Sequence, residues 1–273
     1  MKALVLGGGG ITGIAWELGL LAGLRHLGTD LSTADVIVGT SAGAYVGALI
    51  ATGIDLDEAI ITASGIRIEL SPRVDPGFMG RAFAALTSGN LTAAQGRAHL
   101  GALAREAPLG DDAAHVAQFA AHLPVHTWPV EPRLIVTGVD TATGELTAWD
   151  ATSGVPLPAA VAASCALPGV FPPVHIGDNW FMDGGVRSVT NTDLATGADS
   201  VIVITPSSGM FRTPPATELE SLNATRSLLI APDGPALTAI GPNILDPSRL
   251  APALQAGAIQ ATTVAEAVAK TWL

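Results

Sequence analysis

The stretch Gly39-Thr40-Ser41-Ala42-Gly43 sets a serine between two glycines at the spacing G-x-S-x-G. A serine hydroxyl is a weak nucleophile until a base takes its proton, and it must stand clear of the backbone to reach a carbonyl carbon. A sharp strand-to-helix elbow meets the second need, because it lifts the Oγ off the sheet while the flanking glycines remove side chains that would collide there. Ser41 is therefore the candidate nucleophile, with Gly39 and Gly43 as its clearing residues. The plainer alternative is a tight turn in which Ser41 caps a helix.

Two other stretches bear on that choice. Gly7-Gly8-Gly9-Gly10-Ile11-Thr12-Gly13 is a glycine loop that opens a helix; such a loop presents unpaired N–H groups at the positive end of a helix dipole and binds negative charge. Gly8-x-Gly10-x-x-Gly13 also matches a dinucleotide fingerprint, in which the anion is a pyrophosphate and an acid about 20 positions on holds the ribose. Here the second strand ends in Gly39-Thr40-Ser41 instead, so the oxyanion of an attacked ester is the more economical anion. Asp183-Gly184-Gly185 places an acid where a strand ends, followed by glycines that admit another backbone. It suits a catalytic carboxylate, and it equally suits a turn-capping Asp.

The elements that must position these residues follow from periodicity. Apolar runs at Lys2–Leu6, Val36–Val38, Leu134–Val139 and Asp199–Thr205 read as buried strands. Helical spacing follows the glycine loop over Ile14–Leu24 and the elbow from Ala42 to a stop at Gly53, and it continues over 54–66. Between about 67 and 129, Gly, Pro and Ser punctuate short helical stretches, Arg81–Leu86, Ala93–Ala107 and Asp111–Leu123, which reads as a helical insertion over the sheet. Hairpins are expected at 134–149 and around Gly177-Asp178-Asn179, leading into Trp180–Met182. A helix is expected over Pro156–Ala166, a short strand with an Asp233-Gly234 turn within 226–240, and a long alanine-rich helix from about Pro247 to Leu273. Strands alternating with helices predict an α/β protein with a mainly parallel sheet covered on both faces, in one domain over 1–273.

At 273 residues, 48% hydrophobic and a mean hydropathy of +0.44, the chain has enough apolar material for a large core. No uninterrupted apolar run approaches the roughly 18 residues a membrane span needs. The first strand begins within two residues of Met1, which disfavours a cleavable signal segment, and with the lone Cys165 this points to a cytoplasmic setting. A net charge of −11 argues against a nucleic-acid partner and against electrostatic docking on anionic lipid, leaving transient apolar contact as the expected mode of membrane approach. Cys165 reads as a small buried hydrophobe. His99, His115, His122 and His126 read as isolated residues without metal spacing, since Pro124 interrupts the 122–126 pair.

The glycine loop, the G-x-S-x-G elbow and Asp183-Gly184-Gly185 stand in one order, and Ala166-Leu167-Pro168-Gly169-Val170-Phe171-Pro172-Pro173 precedes the Asp. This ordered set resembles the patatin-like phospholipase family over roughly Ala3 to Ser207. The resemblance implies a three-layer α/β/α fold and a serine-aspartate dyad acting on lipid acyl esters, in the manner of a phospholipase A, lysophospholipase or carboxylesterase, without cofactor or metal. At matching positions Ser41 is the nucleophile and Asp183 the general base, with the N–H groups of Gly9, Gly10 and Thr12 as the oxyanion hole. Thr12 departs from the Arg or Lys usual there, which weakens any inference about phosphate in the substrate.

The residue inventory favours a dyad independently, because no histidine follows His175 and a Ser-acid-His order needs one after Asp183. His175, across the expected hairpin, is a second candidate base. A carboxylate with a reference pKa near 4 is a weak base for a serine hydroxyl, so modest turnover that is lost on acidification is expected. Phe78, Met79, Phe83 and Leu86 are candidates to line an acyl site. Two other functions stay open at this point: a dinucleotide-binding oxidoreductase, and a catalytically silent scaffold that binds lipid or protein.

Overall fold

Runs of β-branched and leucine residues form a sheet whose strands are β1 (Lys2–Leu6), β2 (Val36–Gly39), β3 (Arg133–Asp140), β4 (Leu146–Trp149), β5 (Val174–Ile176), β6 (Asn179–Asp183), β7 (Ser200–Ile204) and β8 (Arg226–Ile230). The computed structural model describes residues 1–64, 77–208 and 213–273. Strand order is β5-β6-β3-β2-β1-β7-β8, with β4 paired to β3. The pairs β3-β2, β2-β1, β1-β7 and β7-β8 are parallel, whereas β4, β6 and β5 join antiparallel at the β3 side.

The helices are α1 (Gly10–His26), α2 (Ala42–Ala51), α3 (Leu56–Ser64), α4 (Phe78–Thr87), α5 (Ala93–Glu106), α6 (Asp112–His122), α7 (Leu157–Ser164), α8 (Pro215–Ser221), α9 (Gly234–Ile240) and α10 (Leu250–Trp272). The three helical stretches expected between 77 and 123 form as α4, α5 and α6. Residues 65–66 of the expected 54–66 helix, and 67–76 of the expected insertion, lie outside the described residues. Within 226–240 the expected short strand forms as β8, and at the Asp233-Gly234 turn Asp233 Oδ1 accepts the Ala236 N–H at 2.8 Å, so the turn leads into α9.

Alternation along the strands sorts side chains into two unequal layers. Leu4, Leu6, Ile37, Ile202 and Ile204 face the larger core beneath α1, α2, α7 and α10. Ala3, Val5, Val38, Val201 and Val203 face the other side, where a short turn at Thr192–Ala195 and α8 supply Ala195 and Leu219. The helix that carries the glycine loop, α1, packs closely on α10. A Cβ on Gly257 would stand 2.2 Å from the Trp16 carbonyl oxygen, and one on Gly19 2.0 Å from that of Leu254. Trp16 Nε1 closes the same contact by donating to Gln260 Oε1 at 3.1 Å.

The histidines of the helical region serve packing and turns. His115 on α6 is buried, pairs through Nε2 with the Ala162 carbonyl at 3.1 Å and stacks on Phe171 with 4.9 Å between centroids. His122 and His126 each bond a carbonyl of their own segment, those of Gln118 and Ala120. No group of three His, Cys, Asp or Glu is gathered for a metal among the described residues.

Gly257→Val should lower unfolding free energy by about 2–3 kcal/mol through overpacking against α1. Gly80→Ala, in open space on α4, should raise it by about 0.5–1 kcal/mol, both read by urea unfolding. Burial pushes the His115 imidazole down to about 4, so between that pH and about 6.5 the unfolded chain binds a proton that the folded chain does not. Stability should therefore fall by about 2 kcal/mol as pH drops from 7.5 to 5, and His115→Gln should remove that slope.

Candidate active site

Strand β2 ends at Gly39, and the chain turns through Ser41 into α2. Ser41 has φ 54° and ψ −117°, a left-handed conformation that a side chain rarely adopts and that costs of order 1–3 kcal/mol. The turn is held from both sides. Thr40 N–H donates to the Leu6 carbonyl at 3.0 Å, and Gly43 N–H donates to that of Gly7 at 3.0 Å. A Cβ on Gly43 would lie 2.1 Å from the Leu6 oxygen, so only glycine allows α2 to begin this close to β1. Gly39 sits equally tight against the Ala44 backbone, at 2.6 Å.

Register on β3 brings the acid to the elbow. Val136 pairs with Gly39 on one edge and Trp149 on the other; Gly138 pairs with Asp183 and with Thr147. Since β4 pairs with Val136 to Val139 on one edge, β2, which reaches Val136, and β6, which starts at Gly138, occupy successive stretches of the opposite edge and meet end to end. Thr137 lies at the junction, its Oγ1 3.0 Å from Thr40 Oγ1, and a Cβ on Gly184 would stand 2.3 Å from that same oxygen.

Across this junction Ser41 Oγ donates to Asp183 Oδ2 at 2.7 Å. Ser41 stands at the N-terminus of α2, yet its side chain makes no capping bond there, which removes the plain turn-cap alternative. Asp183 is 3% exposed, and its Oδ1 accepts the Gly185 N–H at 2.7 Å. The Ser41 N–H donates to Ser164 Oγ at 2.9 Å, and Cys165 Sγ donates to the Ser41 carbonyl at 3.2 Å. Burial raises the Cys165 thiol well above its ordinary pKa, so it stays protonated. Behind Thr40, Asn191 in a left-handed conformation, φ 50°, sends Nδ2 to Thr40 Oγ1 at 3.0 Å and to the Ser188 carbonyl at 2.9 Å.

The glycine loop faces this pair. Gly8, Gly9 and Gly10 line the same cavity as Ser41 and Asp183, a space of about 250 Å³ otherwise walled by apolar groups such as Ile14, Phe119, Leu167 and Phe171. Gly8 N–H is taken by the Val189 carbonyl at 2.8 Å, while no bond is formed by the N–H of Gly9 or Gly10 among the described residues. Gly10, φ +62°, aims the loop into α1; Gly13 lies one turn on, against Pro206 and Ala42.

Several expected residues are placed elsewhere. Thr12 is not a free donor: its N–H bonds the Ile244 carbonyl at 3.2 Å and its Oγ1 reaches the same oxygen at 3.4 Å, so it ties α1 to the segment after α9. His175 does not reach the site; its ring lies over Trp180 on the exposed side of the β5-β6 hairpin, 4.8 Å between centroids. Phe78 and Leu86 pack with Leu100, Val139 and Met182 and do not line the cavity, while Met79 and Phe83 face solvent. Ser164, Asn191 and Ile244 are site residues that sequence reasoning missed. Asn in a left-handed turn after an acid was a weak signal for the second; the others depend on contacts between distant parts of the chain.

The family description "Patatin-like phospholipase" matches residues 4–196, which include the loop, the elbow and Asp183-Gly184-Gly185. Among solved structures the fold is similar to VipD from Legionella pneumophila, at 13% identity and TM-score 0.50, covering 99% of this chain and 67% of that one. The type III effector protein ExoU aligns at 17% identity and TM-score 0.47, over 99% of this chain and 53% of that one. No curated protein matches the sequence. The chain belongs to the patatin-like phospholipase family and is a hydrolase of carboxylic esters.

Proposed function

We propose that the protein is a lipid acyl hydrolase of phospholipase A, lysophospholipase or carboxylesterase type, with Ser41 as nucleophile and Asp183 as general base. The unit is read as one patatin-like domain over 1–273, with a helical insertion at about 67–129 that includes α4 to α6, working in a cytoplasmic setting. The observation that carries this reading is the 2.7 Å Ser41–Asp183 hydrogen bond inside a largely apolar cavity that also holds the unbonded amides of Gly9 and Gly10.

The chemistry follows from that arrangement. An ester carbonyl seated above Ser41 is attacked by Oγ as its proton passes to Asp183 Oδ2. Negative charge grows on the carbonyl oxygen and is received by the Gly9 and Gly10 N–H groups at the positive end of α1. The tetrahedral intermediate collapses, the alcohol leaves with the proton from Asp183, and an acyl-enzyme remains. Water then gives its proton to Asp183 and attacks the acyl carbon, releasing the fatty acid and Ser41. The apolar walls suit the acyl chain, and they strengthen each electrostatic contact by excluding water. A dinucleotide fits less well, because the loop amides look onto Ser41 and Asp183.

Ser41→Ala should lower kcat/KM on a soluble p-nitrophenyl ester by about 10⁴-fold or more, and Asp183→Asn, which keeps the shape but not the base, by about 10³-fold or more. A fluorophosphonate probe should add one adduct to the intact mass of the native chain and none to Ser41→Ala. Unchanged turnover in either variant removes that residue's role. No adduct on the native chain would remove Ser41 as the activated nucleophile.

A further inference from the structure

The catalytic cavity is not the only space that Phe171 touches. Its ring lines that cavity of about 250 Å³, and it also lines a second cavity of about 430 Å³ between α6 and the segment after α7. Leu109, Ala114, His115, Val170 and Pro172 line the second space, together with polar groups of α6. Among the described residues Phe171 alone is common to the two linings.

The ring is held as a wall. Phe171 is 7% exposed, and His115 stacks on it with 4.9 Å between centroids and 29° between planes. His115 also meets Phe119, a residue of the catalytic cavity, edge-on at 5.1 Å, so three rings in a row separate the two spaces. The imidazole is fixed in turn by the 3.1 Å contact of Nε2 with the Ala162 carbonyl. The backbone is no looser: the N–H groups of Val170 and Phe171 both donate to the Leu167 carbonyl at 3.0 Å. Pro172 and Pro173 then lock the φ angles that follow. A ring packed in this way does not swing aside without giving up its contacts.

Volume gives the wall a consequence. At roughly 30 Å³ for each water-sized group, the catalytic cavity holds about eight methylenes. A longer chain must leave its end in water or pass through the place that Phe171 occupies.

We propose that Phe171 sets the acyl length that the protein accepts. The catalytic cavity takes one medium-length acyl chain against the ring, and the second cavity receives the end of a longer chain only when the ring is made smaller. The inference rests on the lipid-hydrolase reading and deepens it by naming the substrate class, esters of medium-chain acids.

The test compares p-nitrophenyl octanoate with p-nitrophenyl laurate, and methyl ketones bearing the same two chains, which cannot be hydrolysed. Native kcat/KM should be about tenfold or more higher on the octanoate ester. Phe171→Leu and Phe171→Ala should raise the laurate-to-octanoate ratio in that order, the alanine variant by about tenfold or more. In calorimetry the native chain should bind the longer ketone no more tightly than the shorter one. Both variants should bind the longer one more tightly, toward the limit of about fourfold for each methylene newly buried. If Phe171 merely holds the fold together, its loss lowers both esters alike and leaves the ratio unchanged, and that result overturns the proposal. So does a native chain that binds the longer ketone with the full increment for its added methylenes, or that binds neither ketone. Should Phe171→Ala not fold, Phe171→Leu, closer in volume, decides the question. A length limit seen in ketone binding without turnover of either ester would count against the hydrolase reading alone.

Discussion

One hydrogen bond, from Ser41 Oγ to Asp183 Oδ2, joins residues 142 positions apart, and much of the molecule exists to make it short. Neither partner would stay there unaided. Ser41 sits in a disfavoured backbone conformation that the surrounding bonds must over-determine, and Asp183 is a carboxylate removed from water. The strain is offset by contacts at Leu6, Gly7, Ser164 and Cys165, and the carboxylate by Ser41 Oγ and the Gly185 N–H. What sets the distance is sheet register. Since β2 and β6 share one edge of β3, a slip of β6 by a single residue would turn Asp183 to the far side of the sheet.

The centre of the fold was legible in the sequence because its strands are continuous apolar runs bounded by glycine, and Ser41, Asp183, Gly9 and Gly10 were legible because each occupies a motif of short range. Their meeting was implied by the family resemblance alone, since it depends on the pairing of Gly138 with Asp183 across the sheet, which no local pattern encodes. Thr12 shows the same limit from the other direction. Its position next to the loop predicts a free N–H, but the Ile244 carbonyl arrives from 232 residues away and takes it. Phe78 and Leu86 looked apolar enough for an acyl site and are buried in a different cluster, because periodicity says which face is covered and not by what. The Asp233-Gly234 pair was read as a turn, and what the turn leads into, the helix α9, is shown only by the Asp233–Ala236 bond.

The α1-α10 contact has a consequence for the order of events during synthesis. The motif residues are all made by residue 185, but α1, whose first turn carries the loop amides, stays uncovered along Gly19 and Gly23 until Leu250–Trp272 has left the ribosome. A chain that ended before α10 would hold every motif residue and still lack the helix against which Gly19 and Gly23 of α1 pack, so the seat of the glycine loop depends on residues more than 220 positions after it.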